Sequence, residues 1–571
     1  MTVRESDRTG DAGATKSPGA WIALSACLIA VFMQMLDLTI VHTAMPALAR
    51  DLGASSAAEL LIVSAYGLAF ACTLPTAARI GDLLGRRLVF PAALAAFGAA
   101  SLWCGIVSGA GELVVARGVA GIAAAMASAQ TIAIITAAFP ERARATAFGL
   151  YGAVAGLAGM AGPMLGGALV DADPLGLGWR AVFLINVPLA GVAVALANRL
   201  RSPVPQHAGW SGLGTEGGGA AMDPGRRVRE TGRIPTPLAA QSGDCPDSAV
   251  NFRPGAGDGE ECGVGTGLSR ASYIAHTGSG SAPNSDLVVP EAESASLEGG
   301  WGGLVRRLDI KGAVLSASGL GLLVYPLTYG REMGWPPAIL VPLALSVPVL
   351  VVFVIEQRRR AARGAEPLVR LELFADRGFG VGAVLMAVFY GVFTAMLFTV
   401  SVAAQSGLGW SASRTGLVML PFAVGAVAGA LSSPVLVSLC GTRALTAGMT
   451  VFAVGLGATA HTVHADGAGL DIRELVWPVF AAGAGMGWFA APLPPLMIAG
   501  VADRAAGSAS GIVPTVQQVG SSVGVAVLGM VFFARVAAQS YLAALTTVLW
   551  IMAGVSALLA VLTLALPGRR T

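Results

Sequence analysis

An aspartate, Asp37, lies within a stretch of sequence that is otherwise apolar enough to cross a membrane, the segment 22–46. A charged side chain at the centre of a membrane-spanning helix costs about 2.5–3.5 kcal/mol on insertion scales, so such residues usually face a pathway or a partner. Removal from water also disfavours the charged form of a carboxyl group, which allows it to bind and release a proton. The position therefore predicts a proton-handling carboxylate at Asp37, with a structural carboxylate satisfied by a neighbouring helix as the alternative.

Other kinds of chemistry find little support in the sequence. The six cysteines show no Cys-x-x-Cys spacing, and the five histidines are scattered, so we expect no metal site and no cofactor. Two of the cysteines, Cys245 and Cys262, fall in a predicted cytoplasmic loop, where a disulfide is not expected. A membrane-embedded enzyme would need a nucleophile, a metal cluster or paired carboxylates near one interface, and the sequence shows none of these.

The composition indicates an integral membrane protein. Of the 571 residues 55% are hydrophobic and only 12% are charged, whereas a soluble domain has about 25% charged residues. Because a spanning helix needs about 20 apolar residues, the apolar runs predict fourteen membrane helices. The predicted spans are 20–46, 58–77, 88–108, 111–138, 145–170, 181–198, 310–329, 337–356, 378–404, 415–438, 444–464, 475–500, 507–534 and 541–566.

The distribution of arginine and lysine predicts the orientation. Outside the long central loop, eighteen of these residues fall on the side of both termini and six on the other side. Because cytoplasmic loops carry the excess of positive charge, we expect both termini in the cytoplasm.

The segment 202–305 differs from the rest of the chain, since 41 of its 104 residues are Gly, Pro or Ser. Such a composition is typical of disorder. The sequence thus predicts a cytoplasmic tail (1–19), a first six-helix bundle (20–200), a disordered cytoplasmic linker (201–305), two additional helices (306–360) and a second six-helix bundle (361–571).

Four motifs occur in order along the first bundle. The first runs from Asp37 to Pro46, and the second is a short loop whose glycines allow a tight turn. Arg117 with Gly121 forms the third, and the fourth is a glycine-rich stretch that lets helix backbones approach closely. The loop motif contains Asp82, Gly85, Arg86 and Arg87, and the glycine-rich motif contains Gly162, Pro163, Gly166 and Gly167.

Together these motifs closely resemble those of the major facilitator superfamily, in particular its fourteen-helix drug:proton antiporter branch. The resemblance continues through Asp309–Gly312, Leu420–Pro421 and 507–520, so it covers nearly the whole chain except the linker. It implies an all-α polytopic membrane protein with two six-helix bundles, two extra central helices and alternating access to a midplane cavity.

The resemblance also implies roles for individual residues. Asp37 would bind the coupled proton, with Arg117 as the partner that tunes or relays its protonation; a purely structural pair is the alternative for Arg117. Asp82, Gly85, Arg86 and Arg87 would form a conformational latch between the halves. The glycine-rich motif would set the export direction through a tightly packed helix contact.

The expected activity is proton-coupled efflux of amphipathic drugs, antibiotics or secondary metabolites by a monomer in the cytoplasmic membrane of a bacterium. Membrane lipids would surround it, the proton gradient would drive it without a cofactor, and no nucleic acid is involved. A dedicated exporter of one endogenous metabolite is the alternative. Aromatic and amide side chains of the spans are expected to line the substrate cavity; they are Gln34, Tyr66, Phe70, Gln130, Tyr390, Phe393, Gln405 and Gln517.

Overall fold

The structure, a computed structural model, describes residues 18–139, 141–199, 309–365, 367–498 and 503–565. The predicted linker 201–305 and almost all of the predicted N-terminal tail lie outside the described residues. The described part is helical, and it contains no strand.

Seven helices build the first half of the chain. They are α1 (Pro18–Leu52), α2 (Ser56–Leu84), α3 (Arg86–Ile106), α4 (Ala110–Ala138), α5 (Glu141–Ala172), α6 (Ala181–Leu184) and α7 (Asn186–Arg199). An additional hairpin follows, formed by α8 (Ile310–Tyr329) and α9 (Pro337–Ala362).

The second half contains eight helices. They are α10 (Arg377–Val402), which a π-helical turn extends through Ala403–Gly407, then α11 (Ala412–Val418), α12 (Leu420–Cys440), α13 (Arg443–Asp466), α14 (Ile472–Ala490), α15 (Leu493–Ile498), α16 (Asp503–Ala538) and α17 (Tyr541–Leu562).

Fourteen stretches of the described residues are long and apolar enough to cross a membrane, which confirms the predicted number. Three predicted spans, 181–198, 415–438 and 475–500, are interrupted near Ile185, Met419 and 491–492. Prolines explain the breaks, because a proline has no amide hydrogen to continue the helix. Each of them lies just before the helical segment that follows the break or within its first three residues. These prolines are Pro188, Pro421, Pro492, Pro494 and Pro495.

The first helix is longer than predicted, since α1 continues six residues beyond Pro46 to Leu52. A proline inside a helix leaves the carbonyl four residues earlier without its usual donor, and in a membrane that carbonyl needs another partner. Here the carbonyl is that of His42, and the Ser401 hydroxyl of α10 donates to it at 2.7 Å. A side chain from the other half of the protein thus satisfies the bond that Pro46 leaves open.

The helices pack as two bundles with the hairpin beside them. In the first bundle α1 packs on α4, α5 and α7, α2 packs on α4, and α3 packs on α4 and α7. In the second bundle α14 packs on α12 and α13, α13 packs on α17, and α10 packs on α16. The bundles meet where α2 contacts α16, α5 contacts α11 and α1 contacts α10, and α8 packs against both α2 and α16.

A buried carboxylate anchors the hairpin. Asp309 is fully buried and caps α8 by accepting from the Gly312 amide at 2.9 Å. Its second oxygen accepts from Gln357 Nε2 of α9 at 2.7 Å and from the Leu368 amide at 3.3 Å. Arg360 lies 3.6 Å from the same carboxylate. One side chain therefore joins the start of α8, the end of α9 and the segment that leads to α10.

We expect Asp309→Ala to lower the thermal stability of the purified protein, because buried donors on Gln357 and Leu368 lose their acceptor. Leaving such a group unsatisfied costs about 1–3 kcal/mol. The matched control is Asp376→Ala, since Asp376 caps α10 through a single bond from the Phe379 amide and is exposed. Equal losses of melting temperature in the two variants would show that Asp309 acts only as a helix cap.

Candidate functional site

Asp37 lies in a polar site inside the first bundle. Arg117 of α4 donates to Asp37 Oδ2 from Nη1 at 2.5 Å, and Asn186 of α7 donates to Asp37 Oδ1 from Nδ2 at 3.1 Å. The side chains of Asp37 and Arg117 are each 1% exposed. Three helices thus bring together a buried ion pair and an amide, and the pair predicted between Asp37 and Arg117 is present.

Aromatic rings enclose the guanidinium of Arg117. Its central carbon lies 4.5 Å from the ring centroid of Tyr66 and 5.6 Å from that of Phe183. Arg117 Nε also donates to the Ile62 carbonyl at 3.4 Å. These cation–π contacts and the carbonyl support the positive charge independently of Asp37.

The glycine at position 121 is needed for this arrangement. Gly121 lies one turn beyond Arg117, and a Cβ there would collide with the Tyr66 carbonyl of α2. The close approach of α4 and α2 places the Tyr66 ring against the guanidinium.

Several buried polar atoms of the site make no hydrogen bond with the described residues: Arg117 Nη2, the Tyr66 hydroxyl and Asn186 Oδ1. Removing the charge of one partner of a buried ion pair is unfavourable, because the other charge is then buried without a counterion. Besides Asp37, the Ile62 carbonyl and the rings of Tyr66 and Phe183 contact the Arg117 guanidinium.

The two bundles contact each other at the end of the membrane region that holds the α1–α2 turn, and we call these contacts the seam. Gln405 Nε2 donates to the Thr43 carbonyl at 2.8 Å. Ser64 of α2 and Ser522 of α16 each donate from the hydroxyl to the carbonyl of the other, at 3.3 and 3.2 Å. With the Ser401 bond to His42, these contacts join α1 and α2 to the second bundle.

A carboxylate forms a further part of the seam. Asp171 at the end of α5 accepts from the Ala412 amide at 3.2 Å and from the Ser413 amide at 2.8 Å. Because both donors belong to the start of α11, Asp171 ties the first bundle to the second with charge-assisted hydrogen bonds.

The glycine-rich motif of α5 packs at the same seam. A Cβ at Gly162 or Gly166 would collide with Thr39 or Ile40 of α1. A Cβ at Gly167 would instead collide with backbone atoms of Ala412 and Ser413 in the second bundle. The backbone of Pro163 is approached as closely by Gly416 of α11. The motif therefore allows α5 to pack tightly against both α1 and α11.

The predicted latch residues lie at the opposite end of the first bundle. Gly85 adopts φ 86°, a left-handed conformation that glycine allows, and it forms the single-residue link between α2 and α3. Arg86 begins α3 and donates from Nη1 to the Ala133 carbonyl at 3.5 Å, and Arg87 follows it in the first turn. The side chain of Asp82 lies outside the described residues. The latch function stays a prediction.

The structure places the predicted substrate residues in different surroundings. Tyr66 and Phe70 are buried and stack on each other at 6.4 Å, and Tyr390 meets Phe393 edge-on at 6.3 Å. Gln34 is buried in α1, and Gln517 is half-buried in α16.

Two of the predicted substrate residues are engaged in helix contacts. Gln130 Nε2 donates to the Ala77 carbonyl at 2.9 Å and so joins α4 to α2, and Gln405 belongs to the seam. The role of the substrate set in binding remains a prediction.

Sequence reasoning missed several polar residues at these contacts. Asn186 was detectable as an amide within an apolar span, in the same way as Asp37. Ser401, Ser522 and Asp171 carry no comparable signal, because hydroxyls are common in membrane helices and Asp171 lies at a helix end. Their importance follows only from what they contact.

Comparison with known proteins identifies the family. The family model described as Major Facilitator Superfamily matches residues 27–242. A probable actinorhodin transporter of Streptomyces coelicolor is 32% identical over 91% of this chain and 74% of its own length. This chain belongs to the major facilitator superfamily. It is therefore a multi-pass membrane transporter of small molecules, as the sequence predicted.

Further similarities agree with this membership in the major facilitator superfamily. A multidrug resistance protein, Stp, of Mycobacterium tuberculosis is 25% identical over 90% of this chain and 76% of its own length. Among solved structures, a bacterial homologue of the human lysosomal transporter Spinster superposes with a TM-score of 0.54. It is 13% identical and the match covers 96% of this chain and 97% of that one. This last likeness shows the shared fold.

Proposed function

We propose that this transporter exports amphipathic drugs, antibiotics or secondary metabolites in exchange for protons across the cytoplasmic membrane of a bacterium. The buried contact of Asp37 with Arg117 and Asn186 carries the proposal. A carboxylate that is 1% exposed and paired inside one bundle can couple its protonation to the packing of three helices.

The arrangement of the bundles supports alternating access. The closed seam is made of hydrogen bonds and glycine contacts between α1, α2 and α5 on one side and α10, α11 and α16 on the other. Such contacts form and break together when bundles rock about a central site. Proton binding at Asp37 and substrate binding would favour different arrangements, so that an incoming proton promotes substrate release.

The arginine distribution gives the direction. With both termini in the cytoplasm, as this distribution predicts, the seam would lie toward the outer surface and the structure would be closed toward the outside. One charge moving through 100 mV contributes about 2.3 kcal/mol, which supports a substrate gradient of several tens-fold per proton.

The similar proteins support a drug or antibiotic as cargo, because one is named for actinorhodin transport and another for multidrug resistance. The aromatic residues in the substrate set suit ring-bearing, amphipathic compounds. The actinorhodin relative equally favours a second candidate function, the dedicated export of one metabolite of the producing cell.

Proton flux in proteoliposomes tests the proposal. The purified protein is reconstituted with a pH-sensitive dye trapped inside, and a small library of amphipathic compounds is added under an imposed pH gradient. We expect compound-dependent proton movement that vanishes when the gradient is collapsed. Response to many compounds supports multidrug export, whereas response to a single one supports dedicated export. Compound movement without any proton flux would contradict the coupling.

A further inference from the structure

The imidazole of His42 is a buried titratable group that the proton site described above does not use. His42 is 1% exposed, and neither ring nitrogen has a hydrogen-bond partner among the described residues. Its ring meets the edge of Phe398 of α10, with centroids 6.4 Å apart. Its own carbonyl accepts the seam bond from Ser401. His42 thus lies in the seam, with its side chain against the second bundle.

The charged surroundings of this ring are simple. Arg117 of α4 acts on it electrostatically, and Asp37 lies five residues earlier on the same helix, about 7.5 Å along the helix axis. The residues of α10 that contact it, Phe398 and Ser401, are uncharged. Asn186 of α7 is uncharged as well.

Further charged groups at the seam end lie on helices that pack against α1; they are Glu59 of α2, Glu112 of α4, Asp171 of α5 and Arg414 of α11. Asp171 of α5 is bonded to the amides of α11, and Arg414 of α11 stacks on Trp410 at 4.4 Å. Along α1 the carboxylate nearest to His42 is Asp37, and Arg117 already pairs with it.

The closed seam is incompatible with a charged imidazole. An imidazolium here would be out of water, would lack an acceptor for both of its N–H groups, and would feel the positive charge of Arg117. Each of these conditions disfavours the cation. When the bundles separate at the seam, the ring loses its contact with Phe398 and meets the water of the open side, where it can accept a proton.

We propose that His42 binds a second proton when the seam opens, and that the seam can close again only after this proton has left. The proposal rests on the proposed proton-coupled export and adds a second proton-binding group to it. The open state then binds one proton more than a transporter with Asp37 alone would bind. A low outer pH holds the seam open through His42.

The test measures how the opening of the seam depends on pH. Spin labels are attached at Gly111→Cys and Gly469→Cys in a variant without native cysteines. Both positions are exposed at the seam end, one on each bundle, and have open space for a side chain. Pulsed electron paramagnetic resonance in lipid nanodiscs, between about pH 5 and pH 9, gives the ratio of open to closed molecules.

We expect the logarithm of this ratio to rise as pH falls, with a slope equal to the number of protons taken up on opening. In His42→Asn and His42→Gln the slope should fall by about one proton relative to the parent. The matched control is Ser401→Ala, which removes the bond to the His42 carbonyl but no titratable group. It should favour the open state at every pH and leave the slope unchanged.

An unchanged slope in both His42 variants overturns the proposal, and so does an equal loss of slope in Ser401→Ala. The proposed function fails separately. In that case the unmodified protein shows no proton flux in proteoliposomes. If proton flux is present but the pH slope is the same with and without His42, only the second proton-binding group is refuted.

Discussion

Asp37→Asn abolishes proton-driven efflux while the protein remains folded and inserted in the membrane. The amide keeps the size of the side chain and can still accept from Arg117 Nη1, but it binds no proton between about pH 5 and pH 9. Because the variant binds no proton at this position, the proton gradient no longer drives movement of α4 and α7, which Arg117 and Asn186 connect to residue 37. We expect gradient-driven efflux to fall at least about 100-fold, as measured in inverted membrane vesicles.

The control for this variant is Asp51→Asn. Asp51 is a carboxylate near the end of the same helix α1, and it pairs with Arg180 at 2.7 Å, but its side chain is 48% exposed. An exposed pair contributes about 0–1 kcal/mol, so its loss should leave efflux close to that of the parent. Efflux at the parental rate in Asp37→Asn, or an equal loss in Asp51→Asn, would remove Asp37 from the mechanism.

The loss of the negative charge also affects stability. In the asparagine variant Arg117 is left without its counterion, although Ile62 and the rings of Tyr66 and Phe183 still contact it. Breaking a buried ion pair costs about 3–5 kcal/mol. We therefore expect a lower melting temperature together with a correctly folded elution profile, and transport should be compared at equal amounts of inserted protein.

Gly167→Ala prevents tight closure of the seam and thereby slows transport by about tenfold or more. The added Cβ would lie 2.7 Å from the Ala412 carbonyl carbon and 2.8 Å from Ser413 Cα, which are backbone atoms of the other bundle and cannot rotate away. Overpacking of this kind costs about 1–3 kcal/mol. Because only the closed seam has this contact, the ratio of open to closed molecules should rise about 5–150-fold.

The matched control is Gly159→Ala on the same helix. Both substitutions raise the helix propensity of α5 in the same way. A Cβ at Gly159, however, would meet nothing within 4 Å. The spin-label distance between positions 111 and 469 reports the seam in both variants, and vesicle efflux reports transport. A seam that closes equally well in Gly167→Ala and Gly159→Ala would show that the glycine motif does not limit closure.

Much of the fold follows from local sequence, since runs of about 20 apolar residues predict spanning helices without tertiary information. The number of spans was predicted in this way, whereas the two six-helix bundles were implied by the family resemblance. The helix ends were less accurate. Three spans were interrupted at prolines, whereas α1 continued through Pro46, where a distant hydroxyl donates to the His42 carbonyl. Local sequence does not reveal that partner.

At the candidate site, too, local sequence predicts one part and tertiary packing decides the rest. An aspartate within an apolar run predicts a functional position because of the cost of burying its charge, and the sequence by itself indicated Asp37 for this reason. Its partners Arg117 and Asn186 lie 80 and 149 residues away, and only the packing of α1 on α4 and α7 brings all three together.

The sequence by itself determined a fourteen-helix membrane protein with an ionisable residue in its first helix. The tertiary structure alone decided that His42 lies in the seam and that Ser401, 359 residues away, contacts its carbonyl. The physical reason is that hydropathy is a property of each segment and can be read along the chain. The choice between similar apolar helix faces depends instead on side-chain packing and on the few polar atoms that must find partners away from water.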